Sequence, residues 1–358
     1  MPRSTVARID LEALRHNYRL ASERAAPALS MAVVKADGYG HGIVPVAQAL
    51  ADDAPKYAVA CLGEAEVIRD AGLLQPVVML QGVHAPEDFE LCARRGFEPV
   101  VHGHHQLDWL AQTGARPAFW LKINSGMNRL GFQPDELVQV MTRLDAMGAR
   151  PGLLGFVTHF ACADDNASSM TREQTLCFEQ ATAAWPELMK SVGNSAAHFI
   201  HDQPLYDWSR PGIMLYGGSP KLAQTGPELG LKPVMSLEAP LITTRTVRAG
   251  ESIGYGAGFV ADRDTPMGMV AIGYGDGYPR HAGTGTPAAV NGQRIRLLGR
   301  VSMDMLAVDL SNAPDARAGD LVELWGGTVA VDEVASCAGT ISYELLTGIT
   351  ARVPRVYL

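Results

Sequence analysis

The stretch MAVVKADGYGHG, residues 31–42, combines an apolar run, a lysine and three closely spaced glycines. Its apolar part, residues 31–34, is typical of a short buried strand, and Lys35 stands where that strand should end. The glycines then interrupt the pattern, and a helical pattern begins at Ile43. A lysine in this place is either a solvated strand end or a reactive amine, and the stretch alone leaves both open.

The alternation of a short apolar run with a helical pattern recurs through residues 30–218. Apolar runs at 57–60, 76–80, 99–101, 120–123 and 153–157 precede helical patterns, and weaker runs near 191 and at 213–216 complete eight candidate strands. Strands that alternate with helices form a parallel sheet. Eight repeats therefore predict an α/β fold with a (β/α)8, TIM-like barrel over residues 1–230.

The pattern changes after residue 230. Short β-rich runs at 236–247, 267–272, 294–298, 305–310 and 321–324 are separated by glycine turns, and a helical pattern lies near residues 332–337. These features predict a mostly β C-terminal domain over residues 231–358, joined to the barrel through a Gly- and Pro-containing segment.

The composition limits the class of partner and the compartment. The chain has 358 residues, a net charge of −8 and no Lys/Arg-rich run, so nucleic acid and anionic membranes are not expected partners. We expect neither a signal peptide nor a membrane span. Five scattered cysteines without a CxxC pair favour the cytoplasm. The run HGHH, residues 102–105, is expected to be a surface loop, and no metal site is predicted.

Polar side chains stand at the predicted carboxyl ends of several barrel strands, where functional residues of such barrels gather. They are Lys35, Lys122, Arg129, His159, Asn194, Ser195 and Arg210. Each also has an ordinary structural explanation: a buried core histidine, a structural ion pair, or a helix cap at Asn194 and Ser195. A structural explanation is adequate for any single one of these residues, but it does not readily explain why all of them lie on the same face of the barrel.

The late strands also carry the features of a phosphate site. The runs GNSAA, residues 193–197, and RPGIM, residues 210–214, offer small residues, a hydroxyl and backbone N–H groups. Pyridoxal phosphate needs a lysine for its aldehyde, a cradle for its phosphate and a partner for its pyridine nitrogen. The barrel mouth therefore suggests this cofactor.

Several motifs resemble those of the alanine racemase family, which are fold-type III pyridoxal phosphate enzymes. The similarity runs from Ile9 to Arg355 and is carried by VVKADGYGHG, LKINSGMNRLGF, THFACAD, GNSAA, RPGIMLYG, SIGYGAGF, AIGYGDGYPR, GRVSMDM and ISYELL. The resemblance implies interconversion of L-alanine and D-alanine by two bases, Lys35 and Tyr255, in a homodimer whose subunits share their active sites.

The resemblance also implies the roles of the other site residues. Lys35 would hold the cofactor covalently, with Tyr39, Arg129, His159, Asn194, Ser195, Arg210, Gly212, Ile213 and Tyr343 as further cofactor-binding residues. The substrate would meet Arg129, Tyr274, Met303 and Asp304. Lys122 would be a possible carbamylated lysine. The chain departs from the family at Asn124, where an aspartate is usual, so a charge beside Lys122 is lost.

Arg210 also bears on the type of reaction. A guanidinium stays protonated, so it would leave the pyridine nitrogen unprotonated and weaken the ring as an electron sink. Such a site favours return of the proton to Cα, as racemisation requires. A decarboxylase of this fold type usually has an acid at that place. A broad-specificity amino-acid racemase remains the alternative. A non-catalytic barrel that only carries the cofactor is disfavoured, because such a protein would be shorter and would lack the Tyr255 motif. A biosynthetic and a catabolic role both stay open.

Overall fold

The computed structural model describes residues 5–200 and 202–358. The start of the predicted first domain, residues 1–4, lies outside the described residues. Within those ranges, no helix combines the length and the apolar character needed to cross a membrane.

Nine parallel strand segments form a nearly closed barrel, which confirms the predicted fold class. The first two segments, Leu29–Ser30 and Ala32–Val33, follow one another on the chain and act as a single first strand. Leu29–Ser30 pairs with Trp208–Ser209, whereas Ala32–Val33 pairs with Tyr57–Val59, so this first strand joins the two ends of the sheet. The remaining strands are Val77–Met79, Phe97–Val101, Phe119–Lys122, Leu153–Val157 and Met189–Ser191.

The helices of the barrel domain alternate with these strands. They are Leu11–Ala25, Ile43–Ala49, Leu62–Asp70, Pro86–Arg95, His104–Thr113, Leu137–Ala146 and Met170–Thr182, with a short segment at Lys35–Tyr39. The run at 213–216, predicted as the eighth strand, is instead the 3-10 helix Ile213–Tyr216, and the eighth strand is Trp208–Ser209. Four apolar residues fit a buried strand and a buried helical turn equally well, so periodicity could not separate them.

An eight-stranded sheet forms the C-terminal domain. Its strands are Val6–Ile9, Met235–Val247, Thr265–Val270, Pro287–Val290, Gln293–Leu298, Leu306–Asp309, Leu321–Trp325 and Arg355–Tyr357. Two helices, Val331–Ala338 and Ser342–Gly348, and a two-stranded ribbon, Ser252–Ile253 with Phe259–Val260, accompany it. Val6–Ile9 pairs with Met235–Val247 and Arg355–Tyr357, so this strand lies in the C-terminal sheet, although the predicted boundary put residues 1–230 in the barrel.

A buried ion pair occupies the amino-terminal end of the barrel. The Nζ atom of Lys56 donates to both carboxylate oxygens of Glu98 at 2.8 and 2.6 Å, and Nε1 of Trp120 donates to the same carboxylate at 2.9 Å. The Lys56 ammonium also lies 4.8 Å from the centre of the Trp208 ring. Because a buried charge needs such partners, this cluster belongs to the core, and the polar site lies at the opposite, carboxyl end of the strands.

Candidate active site

A left-handed turn follows Lys35. Residues 36–39 have φ values between 52° and 59°, and Gly40 follows at 81°. A side chain in this conformation costs about 1–2 kcal/mol per residue, so the turn needs outside support. The Glu64 carboxylate accepts from the backbone N–H of Ala36 and of Ala60, each at 2.8 Å. It thereby ties the turn to the end of the neighbouring barrel strand.

A buried histidine supports the same turn from within. Nδ1 of His41 donates to the carbonyls of Gly38 and Tyr39, at 3.1 and 2.9 Å. Because both partners are acceptors, the proton of the neutral ring must sit on Nδ1. Burial, the largest influence, lowers the pKa of His41 to about 4, so the ring is neutral at physiological pH. The Nδ1–H group of His41 therefore holds the backbone carbonyls of the turn at Gly38 and Tyr39.

Eleven of the predicted residues line one cavity of about 640 Å³ at the carboxyl end of the barrel. They are Lys35, Tyr39, Lys122, Arg129, His159, Asn194, Ser195, Arg210, Gly212, Ile213 and Tyr343. The first ten come from the barrel domain, whereas Tyr343 lies on the C-terminal helix Ser342–Gly348. The folding of the C-terminal domain onto the barrel thus completes the wall of this cavity.

Hydroxyl and backbone N–H groups meet on one side of the cavity. The Ser195 hydroxyl accepts from the N–H of Gly212 at 2.7 Å and from that of Met214 at 3.4 Å. A Cβ atom on Gly212 would lie only 2.4 Å from the Tyr39 hydroxyl, so only glycine lets these groups approach so closely. The Tyr39 ring stacks on Tyr216, with 4.6 Å between ring centres. These donors form a cradle suited to an anion.

Asn194 has a structural contact of its own. Its side-chain oxygen accepts from the N–H of Ala197 at 3.2 Å and caps the 3-10 helix Ser195–Phe199. The capping explanation therefore holds for the Asn194 side chain, although the residue also lines the cavity. Ser195, the first residue of that helix, is held in place by this cap.

Burial and neighbouring cations lower the pKa of both lysines in the cavity. Burial lowers the pKa of Lys35, Arg129 and Arg210 lower it further, and Glu64 opposes them. For Lys122, burial followed by the charges of Arg210, Arg129 and Lys35 lowers the pKa to about 8. A larger share of each amine is therefore neutral near physiological pH than in an exposed lysine, and a neutral amine is the nucleophilic form.

Arg210 is a buried cation with several acceptors. Its guanidinium donates to the Ser191 hydroxyl and to the carbonyls of Thr158 and Val192. It also lies 3.2 Å from Nδ1 of His159. Burial lowers the pKa of Arg210 to about 10, so the group stays charged at neutral pH. Burial, followed by this charge, holds the pKa of His159 well below its usual value.

Four predicted residues of the C-terminal domain lie elsewhere. Tyr255, Met303 and Asp304 line a second cavity of about 1350 Å³, and the N–H of Tyr274 donates to the carbonyl of Ser302 at 3.1 Å, beside them. The Tyr255 side chain is 71% exposed, and Met303 is 53% exposed. Among the described residues, the lining of the barrel cavity includes none of the four. A single chain therefore holds two separate groups of predicted site residues.

Two family models match almost the whole chain. The alanine racemase N-terminal domain matches residues 9–220, and the alanine racemase C-terminal domain matches residues 234–357. The chain belongs to the alanine racemase family. It is 68% identical to the alanine racemase of Marinobacter nauticus over 100% of both chains. The crystal structure of biosynthetic alanine racemase from Pseudomonas aeruginosa shares 46% identity and a TM-score of 0.95, over 100% of both chains.

A third similar protein carries the cofactor in its crystal structure. That structure is of alanine racemase from Bartonella henselae with covalently bound pyridoxal phosphate. It shares 29% identity with this chain and a TM-score of 0.87, over 100% of both chains.

Asn124, the departure from the alanine racemase pattern, organises a loop. Its side-chain oxygen accepts from the N–H groups of Gly126 and Asn128 at 3.2 and 2.9 Å, and its amide donates to the Asn128 side chain at 2.9 Å. An aspartate could accept the same two N–H groups, but it would face the Asn128 oxygen without a proton to donate. The asparagine therefore suits the Asn128 found in this chain, one residue before Arg129.

Several supporting residues were not identified from the sequence. Glu64 and His41 hold the turn after Lys35, and Ser191 and Thr158 hold Arg210. His41 stands inside the quoted glycine-rich stretch, whereas Glu64 is one of several acidic residues on a helix. Among the described residues, no group of three or more His, Cys, Asp or Glu side chains is placed to hold a metal ion.

Proposed function

We propose that this chain interconverts L-alanine and D-alanine with pyridoxal 5'-phosphate as its cofactor. The observation that carries the proposal is that Lys35, the Ser195 and Gly212 cradle and Arg210 line a single cavity. Burial in that cavity lowers the pKa of Lys35. Membership of the alanine racemase family and the cofactor named for the Bartonella henselae structure support the choice of reaction and cofactor.

The residues present fit this cofactor. Tyr39, Ser195, Gly212, Ile213 and Tyr343 would hold the phosphate, because all five line the same cavity and offer hydroxyl or backbone N–H groups. A Cβ on Gly212 would collide with the Tyr39 hydroxyl, so glycine is needed at this place. Lys35 would hold the aldehyde carbon, and Arg210 would donate to the pyridine nitrogen. His159 and Asn194 would lie beside the pyridine ring of the cofactor, and Arg129 would contact the cofactor's phenolic oxygen.

Two bases would exchange the proton at the substrate's Cα. The bound cofactor makes that proton acidic. One base cannot reach both faces of a planar carbon, so Lys35 would serve D-alanine and Tyr255 would serve L-alanine. Arg210 stays charged at neutral pH and would keep its proton on the guanidinium, which favours return of the proton to Cα. Met303 and Asp304 would bind the substrate carboxylate through their backbone N–H groups, with Arg129, because the Asp304 carboxylate itself accepts from Arg352. Tyr274 would stand at the substrate entrance.

A homodimer would bring the two groups of residues together. Tyr255 and Met303 are exposed, and they line a cavity other than the one that holds Lys35. A second subunit would contribute its Tyr255 side of the C-terminal domain to the barrel cavity of the first. The active site would then be shared, and each subunit alone would be inactive.

We infer a cytoplasmic location and a role in D-alanine biosynthesis. All five cysteines are free, which suits a reducing compartment. The 46% identity to an alanine racemase described as biosynthetic supports the direction of the pathway.

Lys122 would carry a carbamate. Its pKa of about 8 leaves part of the amine neutral near physiological pH, and the neutral form can capture carbon dioxide. Arg210, Arg129 and Lys35 would then stabilise the resulting anion. The carbamate would orient Arg129 through a charge-assisted hydrogen bond. The Asn124 side chain already accepts hydrogen bonds from Gly126 and Asn128. The carbamate would therefore be stabilised by the neighbouring cations rather than by Asn124.

A chiral assay tests the proposed reaction. Purified protein is incubated with L-alanine or D-alanine, with and without added pyridoxal phosphate, and both enantiomers are measured. Each enantiomer should give the racemic mixture, and removal of the cofactor should abolish the conversion. Parallel assays with lysine, arginine and serine distinguish a broad-specificity racemase. Equal rates with lysine and alanine would replace the proposal by that alternative.

A further inference from the structure

The guanidinium of Arg355 binds four backbone carbonyls from two separate parts of the chain. Nε donates to Gly40 at 3.1 Å. Nη1 donates to Thr350 and Val353 at 2.7 and 2.8 Å, and Nη2 donates to Ile349 at 2.6 Å. A planar group with donors in a fixed fork is required for such an arrangement, since a lysine ammonium is a single point on a flexible stem.

The two parts that Arg355 joins each lead to a tyrosine that lines the barrel cavity. Gly40 ends the left-handed turn that follows Lys35 and carries Tyr39. Ile349 directly follows the helix Ser342–Gly348, which carries Tyr343. The Tyr39 and Tyr343 rings lie 6.0 Å apart between centres.

The turn and the helix are packed closely enough for small movements to matter. A Cβ atom on Gly40 would lie 2.2 Å from the carbonyl oxygen of Leu346, so the backbone of the turn lies directly on the helix. A second contact comes from the same C-terminal strand, because the Tyr357 hydroxyl donates to the carbonyl of His41 at 3.1 Å. The C-terminal strand thus holds the turn at two places.

We propose that Arg355 is a positioning residue that sets the spacing between Tyr39 and Tyr343 and thereby the affinity for the cofactor phosphate. The proposal rests on the proposed function, in which both tyrosines bind that phosphate. Without Arg355, the turn of the barrel domain and the helix of the C-terminal domain lose their common donor. The two hydroxyls then bind the phosphate less well because their separation is no longer held.

Cofactor affinity measured on the apoprotein tests this proposal. Pyridoxal phosphate is titrated into apoprotein of the parent, R355M and R355K, and binding is followed by visible absorbance. We expect R355M to bind about tenfold more weakly and R355K to lie between it and the parent. R294M is the matched control, because Arg294 is a more exposed arginine of the same domain that pairs with Glu333, and its affinity should equal that of the parent.

Thermal unfolding of each apoprotein separates positioning from general stability. A lower melting temperature of R355M with an unchanged dissociation constant would mean that Arg355 is only structural, and would overturn the proposal. If R355M does not fold, R355K tests the proposal instead, and its affinity for pyridoxal phosphate must then be measurably lower than that of the parent. At saturating cofactor, KM for alanine should change less than the cofactor dissociation constant.

A double variant shows whether Arg355 acts through Tyr343. In the Y343F background the hydroxyl that Arg355 positions is already gone, so adding R355M should cost clearly less affinity than it costs in the parent. The same fold-loss in both backgrounds would overturn the proposal. Failure of the parent itself to bind the cofactor at Lys35 would instead refute the proposed function, so the two failures are distinguishable.

Discussion

Nη2 of Arg210 lies 3.2 Å from Nδ1 of His159. A guanidinium has donors only, so Nδ1 must accept, and the proton of the neutral imidazole must lie on Nε2. Burial and the Arg210 charge hold the pKa of His159 low, which keeps the ring in this neutral form. His159 therefore accepts from Arg210 at Nδ1, and its Nε2 carries the single proton of the ring.

We expect the cofactor to be attached to Lys35. Borohydride reduction of the purified protein should fix pyridoxal phosphate to the peptide that contains Lys35, because the lowered pKa leaves its amine nucleophilic. Peptide mass spectrometry locates the attachment. The K35R variant is the control and should retain no reduced cofactor. Attachment of the cofactor to Lys122 in the parent protein would refute the assignment.

Mixing two inactive variants should restore activity if the active site is shared. K35A and Y255F would each lose one of the proposed bases, but a hybrid dimer with shared sites would have one site with both changes and one site with neither. With random exchange, half of the dimers are hybrids, so about a quarter of the parent activity should return. Mass spectrometry of the intact dimers confirms exchange. Complete exchange without any recovered activity would exclude a shared site.

Loss of the Tyr255 hydroxyl should slow proton exchange of one alanine enantiomer more than that of the other. In Y255F, exchange of the α-proton of L-alanine with deuterated solvent should fall sharply, whereas exchange from D-alanine should be less impaired, because the proposed function assigns that enantiomer to Lys35. Proton NMR of each enantiomer measures both rates. If Y255F exchanges the L-alanine proton as fast as the parent, Tyr255 is only a turn residue between Gly254 and Gly256.

Carbamylation of Lys122 predicts a dependence on carbon dioxide. Activity should fall when the protein is degassed and should return with added bicarbonate, since a pKa of about 8 leaves a reactive amine at mildly alkaline pH. Isotope-labelled bicarbonate should give a carbamate signal in carbon NMR that is absent from K122R. An unchanged rate in K122A would show that the modification has no role.

Acid should destabilise the protein in a defined pH range. Burial lowers the pKa of His41 and His198 from 6.5 to about 4, so between these values the unfolded chain binds protons that the native state does not. The free energy of unfolding therefore decreases as the pH falls through this range, by up to about 3 kcal/mol for each histidine.

Urea unfolding at about pH 7.5, 6 and 5 measures this loss, because these values run from above the pKa of free histidine into the range in which stability falls. The H41N variant keeps an N–H donor for the turn but does not titrate, so its stability should depend less steeply on pH. An equally steep dependence in H41N would show that His41 does not contribute. H198N provides the matched comparison for the second histidine.

The fold class and most of the barrel cavity follow from local sequence. Alternating apolar runs and helical patterns are local properties, so they indicate the barrel without knowledge of contacts. The residues at the ends of parallel strands meet because all such ends lie at the same edge, which explains why Lys35, Lys122, His159, Ser195 and Arg210 share one cavity. The motifs of the alanine racemase family added Tyr343, which no strand pattern could place there.

Tertiary structure alone decided the partnerships between distant parts of the chain. The strand Val6–Ile9 joins the C-terminal sheet because its partners, Met235–Val247 and Arg355–Tyr357, are formed more than 200 residues later. The run Ile213–Tyr216 became a 3-10 helix for a related reason: Tyr216 stacks on Tyr39, and its hydroxyl donates to the carbonyl of Val33. Contacts of this kind depend on three-dimensional packing, which a pattern along the chain does not encode.

The sequence by itself determined which chemical groups this protein has and at which ends of its strands they stand. The structure decided which of them act on one another: that Glu64, His41 and Arg355 hold the turn after Lys35, and that Tyr255 lines a different cavity. The physical reason is the separation along the chain between the residues that interact. Strand and helix patterns reflect interactions between near neighbours, whereas the pKa of a buried amine and the support of a left-handed turn depend on groups that only folding brings within a few ångströms.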